Sequence, residues 1–496
     1  MLPDCVAANF SPEPILSAAD SYRGQIVDLD AARVVGAAEL ARARQQLAAA
    51  LPRSGLAAGD RVIVALGNGP LFVAALAAIL DRGGCPLLVH FKTPPAELRR
   101  TGLRFGAPLV ITDECPLDAM QAEFPTCAEL VSSGPDWVRA RCARLSESDP
   151  AFQASQPWLP GVPLHPTSGT TGVPKVAARP GYRATEEARH YIETIGISAE
   201  DTILAVPPMS HAYAFGMCVM VPLLSGARVV TLRGFSQKKV FQELVAGRLT
   251  IFPAVPAMLD LLLFGAGDRL RGACRTVLTA GAPLPLRTAR QFRQAWGIAV
   301  RPLYGTTETG GIAVAEEPEE ELPVGCVGRP MHGVEVQVRP AADHAGLGDN
   351  VGMLYVRSSS MMEGYVGPDG VDPSPLADGW FQTGDVARID AAGAIHLKGR
   401  ETEVINVGGM KVLPGEVEEV IATLPGVREV KVYAGSKRSV AQLVKAAVVT
   451  DGSVDVRAIQ AHCQHHLVYY KRPARIALLD ALPRSAAGKI LPDQLP

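Results

Sequence analysis

Short apolar runs alternate with stretches of helical spacing through the first third of the chain. Residues 61–66 (RVIVAL), apolar after the opening arginine, are a short β run and predict a strand, as do 86–91 and 109–112. Between them, residues 70–80 and 94–105 space their apolar positions as a helix does. Short apolar strands separated by helices predict parallel βαβ units, with the helices covering a buried sheet. Residues 114–160 carry weaker periodicity and several prolines, and predict a connection with irregular structure. The alternation then resumes. Strands are predicted at 203–206, 228–232, 250–252, 276–278 and 298–302, with helices at 238–246, 257–263 and 286–296. The pattern is that of two doubly wound halves, without the short-period repeat of a solenoid.

From about residue 325 the character changes. Residues 334–338, 353–356, 386–389 and 395–398 are short β stretches with glycine turns and no helix between them, which predicts a small barrel-type unit. At Gly399-Arg400 it changes again. Strand-like and helical segments at 403–407, 414–424, 430–433, 443–449, 454–467 and 475–479 predict a compact α+β tail, long enough for a domain of its own.

Composition narrows the class. The 496 residues are 48% hydrophobic and 20% charged, so the chain is globular. With 48 Lys+Arg against 50 Asp+Glu, no bulk charge points to nucleic acid or an anionic membrane. The nine cysteines are scattered with no C-x-x-C pair, which reads as reduced thiols. The first residues, MLPDCVAANFSPEP, lack a basic region followed by an apolar one, and no apolar run approaches the roughly 20 residues of a membrane span. A cytoplasmic protein is expected.

The chemistry concentrates first at residues 167–175, TSGTTGVPK. Glycines let backbone N–H groups approach a ligand, hydroxyls add short donors, and the closing lysine is a mobile point charge, a combination suited to phosphate oxygens. A plain polar surface loop has the same composition. It is not a Walker loop, because Pro174 stands where that spacing needs glycine and Val176 follows the lysine. The ordered string resembles the phosphate loop of the adenylate-forming superfamily, which includes acyl-CoA synthetases, luciferases and peptide-synthetase adenylation domains. The resemblance implies that Thr167, Ser168, Gly169, Thr170 and Gly172 cradle ATP phosphates, and that Thr171 and Lys175 act in catalysis.

Four further strings fit the same resemblance, in order. Leu303–Gly310, LYGTTETG, follows a predicted strand, so it sits where open α/β sheets bind ligands. A tyrosine ring can stack on a base and a carboxylate can hold Mg²⁺ bridging phosphates, although the string taken alone is more simply a structural tyrosine and a surface glutamate. The family pattern implies Tyr304 beside adenine, Gly305, Thr306 and Thr307 at the nucleotide, with Thr307 on the α-phosphate, and Glu308 on Mg²⁺. In WFQTGD the pattern makes Asp385 the ribose carboxylate, where Asp in a turn is otherwise a turn former. Arg400 would reach ribose or phosphate. The family's hinge falls on Thr402, where Asp or Lys is usual. Gly408 and Gly409 would line a thiol tunnel, or simply make a hairpin turn. Near the end, Leu482–Ile490 (LPRSAAGKI) places Lys489 as the catalytic lysine, with Pro492 where a basic residue is usual.

His211, in PPMSHAYAFG, corresponds to the gate beside the acyl pocket, and Gly281, Ala282 and Pro283 to the loop on adenine. Residues 212–222 contain no acidic side chain to pair with an α-ammonium, which disfavours an amino acid substrate. Ala212, Phe215, Gly216, Ala280 and Gly310 are expected to frame an apolar pocket. The run His462-Cys463-Gln464-His465-His466 invites a zinc reading, but four such groups on one helix cannot converge on one ion.

The fold expected is therefore α/β, with two doubly wound βα subdomains plus a small β-barrel-like subdomain, followed by a small mobile α+β domain. The bounds are 1–399, a hinge at 400–402, and 403–496. The resemblance, nearest to acyl- or aryl-CoA ligases, implies activation of a small carboxylic acid by ATP and Mg²⁺ through an acyl-adenylate. The acyl group then passes to coenzyme A, or alternatively to the phosphopantetheine thiol of an acyl-carrier protein. A phosphotransferase or a silent nucleotide-binding module are the rivals of other classes. No nucleic acid or membrane span enters.

Overall fold

Every residue from Pro70 to Leu80 is buried, so the helix Pro70–Asp81 has no solvent face and needs cover all round. The helices Glu13–Ser21 and Ala37–Ala50 and the strand Cys85–Leu88 pack on it, within a helix layer between two sheets that have nine strands each among the described residues. In the computed structural model, residues 11–114, 117–124, 126–130, 137–145, 163–167, 175–263, 274–318, 321–323, 325–340, 350–367, 370–400, 403, 405–407, 410–435, 443–467, 471–484 and 490–496 are described. One core runs through the helix layer and into both sheets, from Val62 and Ile111 on one side to Ile203, Val229 and Leu278 on the other.

In the first sheet the strands Arg61–Ala65, Cys85–Leu88, Leu109–Thr112 and Leu164–Thr167 lie parallel, as their alternation with helices requires. In the second, Thr202–Ala205, Arg228–Thr231, Ile251–Ala254, Thr276–Thr279 and the start of Val300–Thr306 do the same. Both sheets turn antiparallel at their edges. Leu164–Thr167 pairs antiparallel with Lys175–Ala178, and Val300–Thr306 with Gly310–Val314. The two segments of greatest chemical interest thus connect adjacent antiparallel strands, where a helix would follow in a regular βα unit.

Gln25–Asp28 pairs with Arg228–Thr231 and Arg33–Gly36 pairs with Gln25–Asp28, so a hairpin early in the chain completes the second sheet. One local expectation is corrected. Residues 114–160 are not wholly irregular, since they include the helix Leu117–Glu123 and the strands Thr126–Glu129 and Arg141–Arg144. Those strands are four residues long, and the outer one is largely exposed, so they carry no apolar run.

An antiparallel unit follows, built from Val334–Arg339, Val351–Ser358, Leu376–Ala377, Trp380–Ile389 and Ile395–Arg400. After it come the hairpin Ile405–Val407/Met410–Val412, the helices Pro414–Ala422 and Val456–His466, and a sheet of Val427–Gly435, Leu443–Thr450 and Arg475–Leu478. Ile405, Val412, Val417, Ile421, Val432, Val444, Ile459 and Cys463 form a core separate from the others. Asp455 caps the second helix by accepting from Ala458 N at 2.8 Å. This unit rests on the barrel strands through Leu413, which packs with Met353 and Val386.

Candidate active site

The C-terminal ends of the parallel strands in the second sheet lead into residues 206–211, 280–283 and the turn after Thr306. Tyr304 lies on the last of these strands and is half-buried. Its hydroxyl donates to Asp385 Oδ2 at 2.5 Å, and Arg400 Nε meets the other carboxylate oxygen at 2.7 Å. Asp385 is buried, which pushes its carboxyl up against the opposing pull of Arg400 and Tyr304. Burial first, then the Asp385 charge, raises the Tyr304 phenol well above its ordinary value, so the phenol stays a donor. An aromatic, a carboxylate and a guanidinium from three separate segments therefore meet at one place.

The turn carrying Glu308 is shaped by its neighbours. Gly305 pairs with Gly311 after a bulge, and a Cβ on Gly305 would lie 2.4 Å from Gly310 O, so only glycine fits. The Thr306 hydroxyl is used inside the turn, accepting from Thr309 N at 3.2 Å and lying 3.1 Å from Thr309 Oγ1. Thr307 and Glu308 are half-buried at its crown. Glu308 Oε1 accepts from the Tyr365 hydroxyl at 2.8 Å, and Lys175 Nζ lies 4.8 Å from the centre of the same ring. The second oxygen of Glu308 has no partner among the described residues. A hard carboxylate with one oxygen to spare suits Mg²⁺, which is commonly held by one or two carboxylates together with substrate phosphates.

A buried ion pair stands behind this turn. Arg179 and Glu187, with side chains 2% and 1% exposed, meet at 2.6 Å. Glu187 Oε1 accepts from Gly311 N at 3.2 Å, and Arg179 Nε donates to Ser360 O at 3.2 Å. Ser360 Oγ in turn donates to Thr309 O at 2.8 Å. Gly216 and Gly310 point toward this pair: added Cβ atoms would lie 3.0 Å and 2.6 Å from Glu187 atoms. Their small size thus admits the Glu187 side chain.

His211 is exposed at the start of the helix Ala212–Phe215, with the His90 ring 6.3 Å away. Behind it, His165 is buried against Phe215, and burial followed by the Arg179 charge lowers its pKa to about 3. The loop leading to His211 is held from the other sheet by Asn68. Asn68 Nδ2 donates to Pro207 O and Val206 O at 3.1 and 3.2 Å, and Oδ1 accepts from Met209 N at 2.7 Å. Asn68→Ala is expected to destabilise the fold by about 1–3 kcal/mol, because buried main-chain groups lose their partners. Urea denaturation measures this, and an unchanged midpoint would show that the clamp is replaceable.

Thr167 is a strand residue paired with Lys175. Gly281 and Pro283 are exposed and Ala282 half-buried, just beyond the strand Thr276–Thr279. Ser168, Gly169, Thr170, Thr171, Gly172, Thr402, Gly408, Gly409 and Lys489 lie outside the described residues. Sequence reasoning overlooked Tyr365, Asn68, Arg179 and Glu187. Only Glu187 left a usable signal, since it continues the stripe Ala184, Ala188, Tyr191 on the inward face of its helix.

The chain matches the AMP-binding enzyme family over residues 19–366, and the AMP-binding enzyme C-terminal domain over residues 416–489. It belongs to the AMP-binding enzyme family. Among its relatives, a feruloyl-CoA synthase of Amycolatopsis sp is 29% identical over 470 residues, covering 92% of each chain. A 2-succinylbenzoate–CoA ligase of Geobacillus sp. is 28% identical over 460 residues, covering 92% of this chain and 89% of the relative. The O-succinylbenzoate coenzyme A synthetase MenE from Bacillus subtilis, solved in complex with AMP, superposes with a TM-score of 0.78 at 25% identity and 98% coverage of both chains.

Proposed function

We propose that this AMP-binding enzyme joins a carboxylic acid to coenzyme A through an acyl-adenylate, releasing AMP and pyrophosphate, and that the acid is aromatic. The observation that carries the reading is the meeting of Tyr304, Asp385 and Arg400 beside Glu308 and Lys175 at one edge of the second sheet. Tyr304 flanks adenine and Asp385 takes the ribose hydroxyls, so Arg400 must turn from Asp385 toward ribose or phosphate as the nucleotide arrives. Thr307 faces the α-phosphate. The loop N–H groups of 168–174 and the ammonium of Lys175 hold the β- and γ-phosphates.

The acid carboxylate then attacks the α-phosphorus in line, forming the mixed anhydride and breaking the bond to pyrophosphate. Two anions meet in this step, so positioning and charge neutralisation govern its rate. Glu308 would hold Mg²⁺, which would supply countercharge for the phosphates. Lys489 lies across the carboxylate and α-phosphate and stabilises the charge that grows between them. The small domain next rotates at 400–402, removing Lys489 and presenting Gly408 and Gly409 for attack by the thiol on the acyl carbon, with AMP leaving. Lys431 ties Glu403 at 3.1 Å and Glu418 at 3.2 Å, which supports a moving body that begins just beyond the hinge.

The aromatic assignment rests on relatives named for feruloyl and 2-succinylbenzoyl groups, and on the absence of acidic residues over 212–222. ATP and coenzyme A as co-substrates fit a cytoplasmic enzyme. The test is acid-dependent ATP–pyrophosphate exchange across aromatic, aliphatic and amino acids, followed by addition of coenzyme A. Exchange driven by aromatic acids, with thioester and AMP appearing on adding the thiol, is the expected result. ADP formation, or exchange driven only by amino acids, would overturn the proposal.

A further inference from the structure

Glu308 and Lys175 carry opposite charges and serve the same phosphates, yet they do not pair with each other. Among the described residues no carboxylate comes within ion-pair distance of Lys175, and no cation reaches Glu308. Both instead touch one neutral side chain. The Tyr365 hydroxyl donates to Glu308 Oε1 at 2.8 Å, and its ring lies 4.8 Å below Lys175 Nζ. We propose that Tyr365 is a positioning residue for the metal–phosphate site, orienting Glu308 by its hydroxyl and Lys175 by its ring without cancelling either charge. The inference rests on the adenylation reading above.

The surrounding backbone makes this contact specific. Tyr365 lies on the strand Gly364–Gly367, which pairs antiparallel with Lys175–Ala178 through Gly364↔Ala178 and Tyr365↔Ala177. The preceding residues clasp the Glu308 turn, with Met362 N donating to Glu308 O at 2.7 Å and Ser360 Oγ to Thr309 O at 2.8 Å. A Cβ on Gly364 would fall 2.2 Å from Asp372 O, so the neighbouring hairpin strand fixes the backbone that presents the ring.

The chemistry of the contact explains why a tyrosine serves. An arginine or lysine in its place would orient Glu308 but neutralise it, and would compete with a divalent cation. A phenol hydroxyl gives its single hydrogen to one carboxylate oxygen and leaves the second oxygen available to a metal. Likewise a carboxylate would fix Lys175 at the expense of the charge it brings to phosphate, whereas a ring face attracts the ammonium and leaves that charge intact.

Two variants separate the hydroxyl from the ring. Tyr365→Phe keeps the platform beneath Lys175. ATP affinity without divalent metal should stay at the wild-type value, while Mn²⁺ binding to the ATP-loaded protein, followed by electron paramagnetic resonance, should weaken by about tenfold. In pyrophosphate exchange, the Mg²⁺ concentration for half-maximal rate should rise by a similar factor while the KM of the acid stays constant. Tyr365→Leu should additionally weaken metal-free ATP binding. Wild-type Mn²⁺ affinity in Tyr365→Phe would overturn the inference alone. A wild-type protein that binds ATP and Mn²⁺ independently, with no exchange, would overturn it together with the proposed function.

Discussion

Lys489→Ala should lower acid-dependent ATP–pyrophosphate exchange by about 10²–10³, the effect of removing one preorganised charge from a transition state. The same variant should still form thioester when given preformed acyl-adenylate and coenzyme A, because the proposed rotation withdraws Lys489 before the second half-reaction. The described residues on either side of this lysine are held in place: Arg484 and Ile490 pair with each other, and Leu491 N donates to Pro483 O at 2.9 Å. Leu482 and Ile490 pack with Ala447 and Val449 of the C-terminal sheet. Replacing Lys489 leaves all of these contacts in place, so loss of exchange would report chemistry and not unfolding. Circular dichroism melting of the variant checks that point. Full exchange by Lys489→Ala would transfer the adenylation role to another cation, with Lys175 first in line. Loss of both half-reactions would instead mean that the lysine does not leave the site between them.

The βα alternation was legible because parallel strands buried on both faces are written as continuous apolar runs. RVIVAL became Arg61–Ala65, and the predicted 109–112 strand is Leu109–Thr112. The barrel strands and the C-terminal unit were legible for a similar reason, with glycine turns marking their ends. Edge structure was not. The strand Thr126–Glu129 pairs on one side only and is mostly exposed, so nothing in its composition distinguishes it from loop. The membership of Gln25–Asp28 in the second sheet is a long-range pairing to Arg228–Thr231, which no local pattern encodes.

At the site the same division holds. The strings around Lys175, Glu308, Asp385 and Arg400 stood out because phosphate and ribose recognition needs particular side chains on particular turns. The residues that hold those groups did not stand out. Asn68 sits in Gly67-Asn68-Gly69, where asparagine ordinarily serves a turn, and its partners at 206–209 are in the other sheet. Tyr365 lies in a short Gly364–Gly367 strand whose value comes entirely from what it touches. Gly216 and Gly310, expected to frame a pocket, make room for Glu187, whose charge is balanced by Arg179, a long-range contact that no local pattern encodes.

That pair carries the largest expected effect on stability. Arg179→Ala should destabilise the protein by about 3–5 kcal/mol, since Glu187 would be left buried without a counterion. The urea midpoint measures the loss, and a shift of less than about 1 kcal/mol would mean that water reaches the vacated space. An apolar double replacement, Arg179→Met with Glu187→Met, should recover most of that stability, because removing both charges also removes the burden of desolvating them. Activity should not recover with it. Glu187 accepts from Gly311 N, Arg179 donates to Ser360 O, and Ser360 holds Thr309 O, so the pair staples together the turn bearing Glu308 and the segment leading to Tyr365. With both replaced, pyrophosphate exchange should stay at least tenfold below wild type and demand more Mg²⁺. A double variant that regained both stability and normal Mg²⁺ dependence would show that the buried pair supports the fold alone. Stability without activity would show that the charges are retained for the geometry they impose on the turn bearing Glu308, where metal binding is proposed.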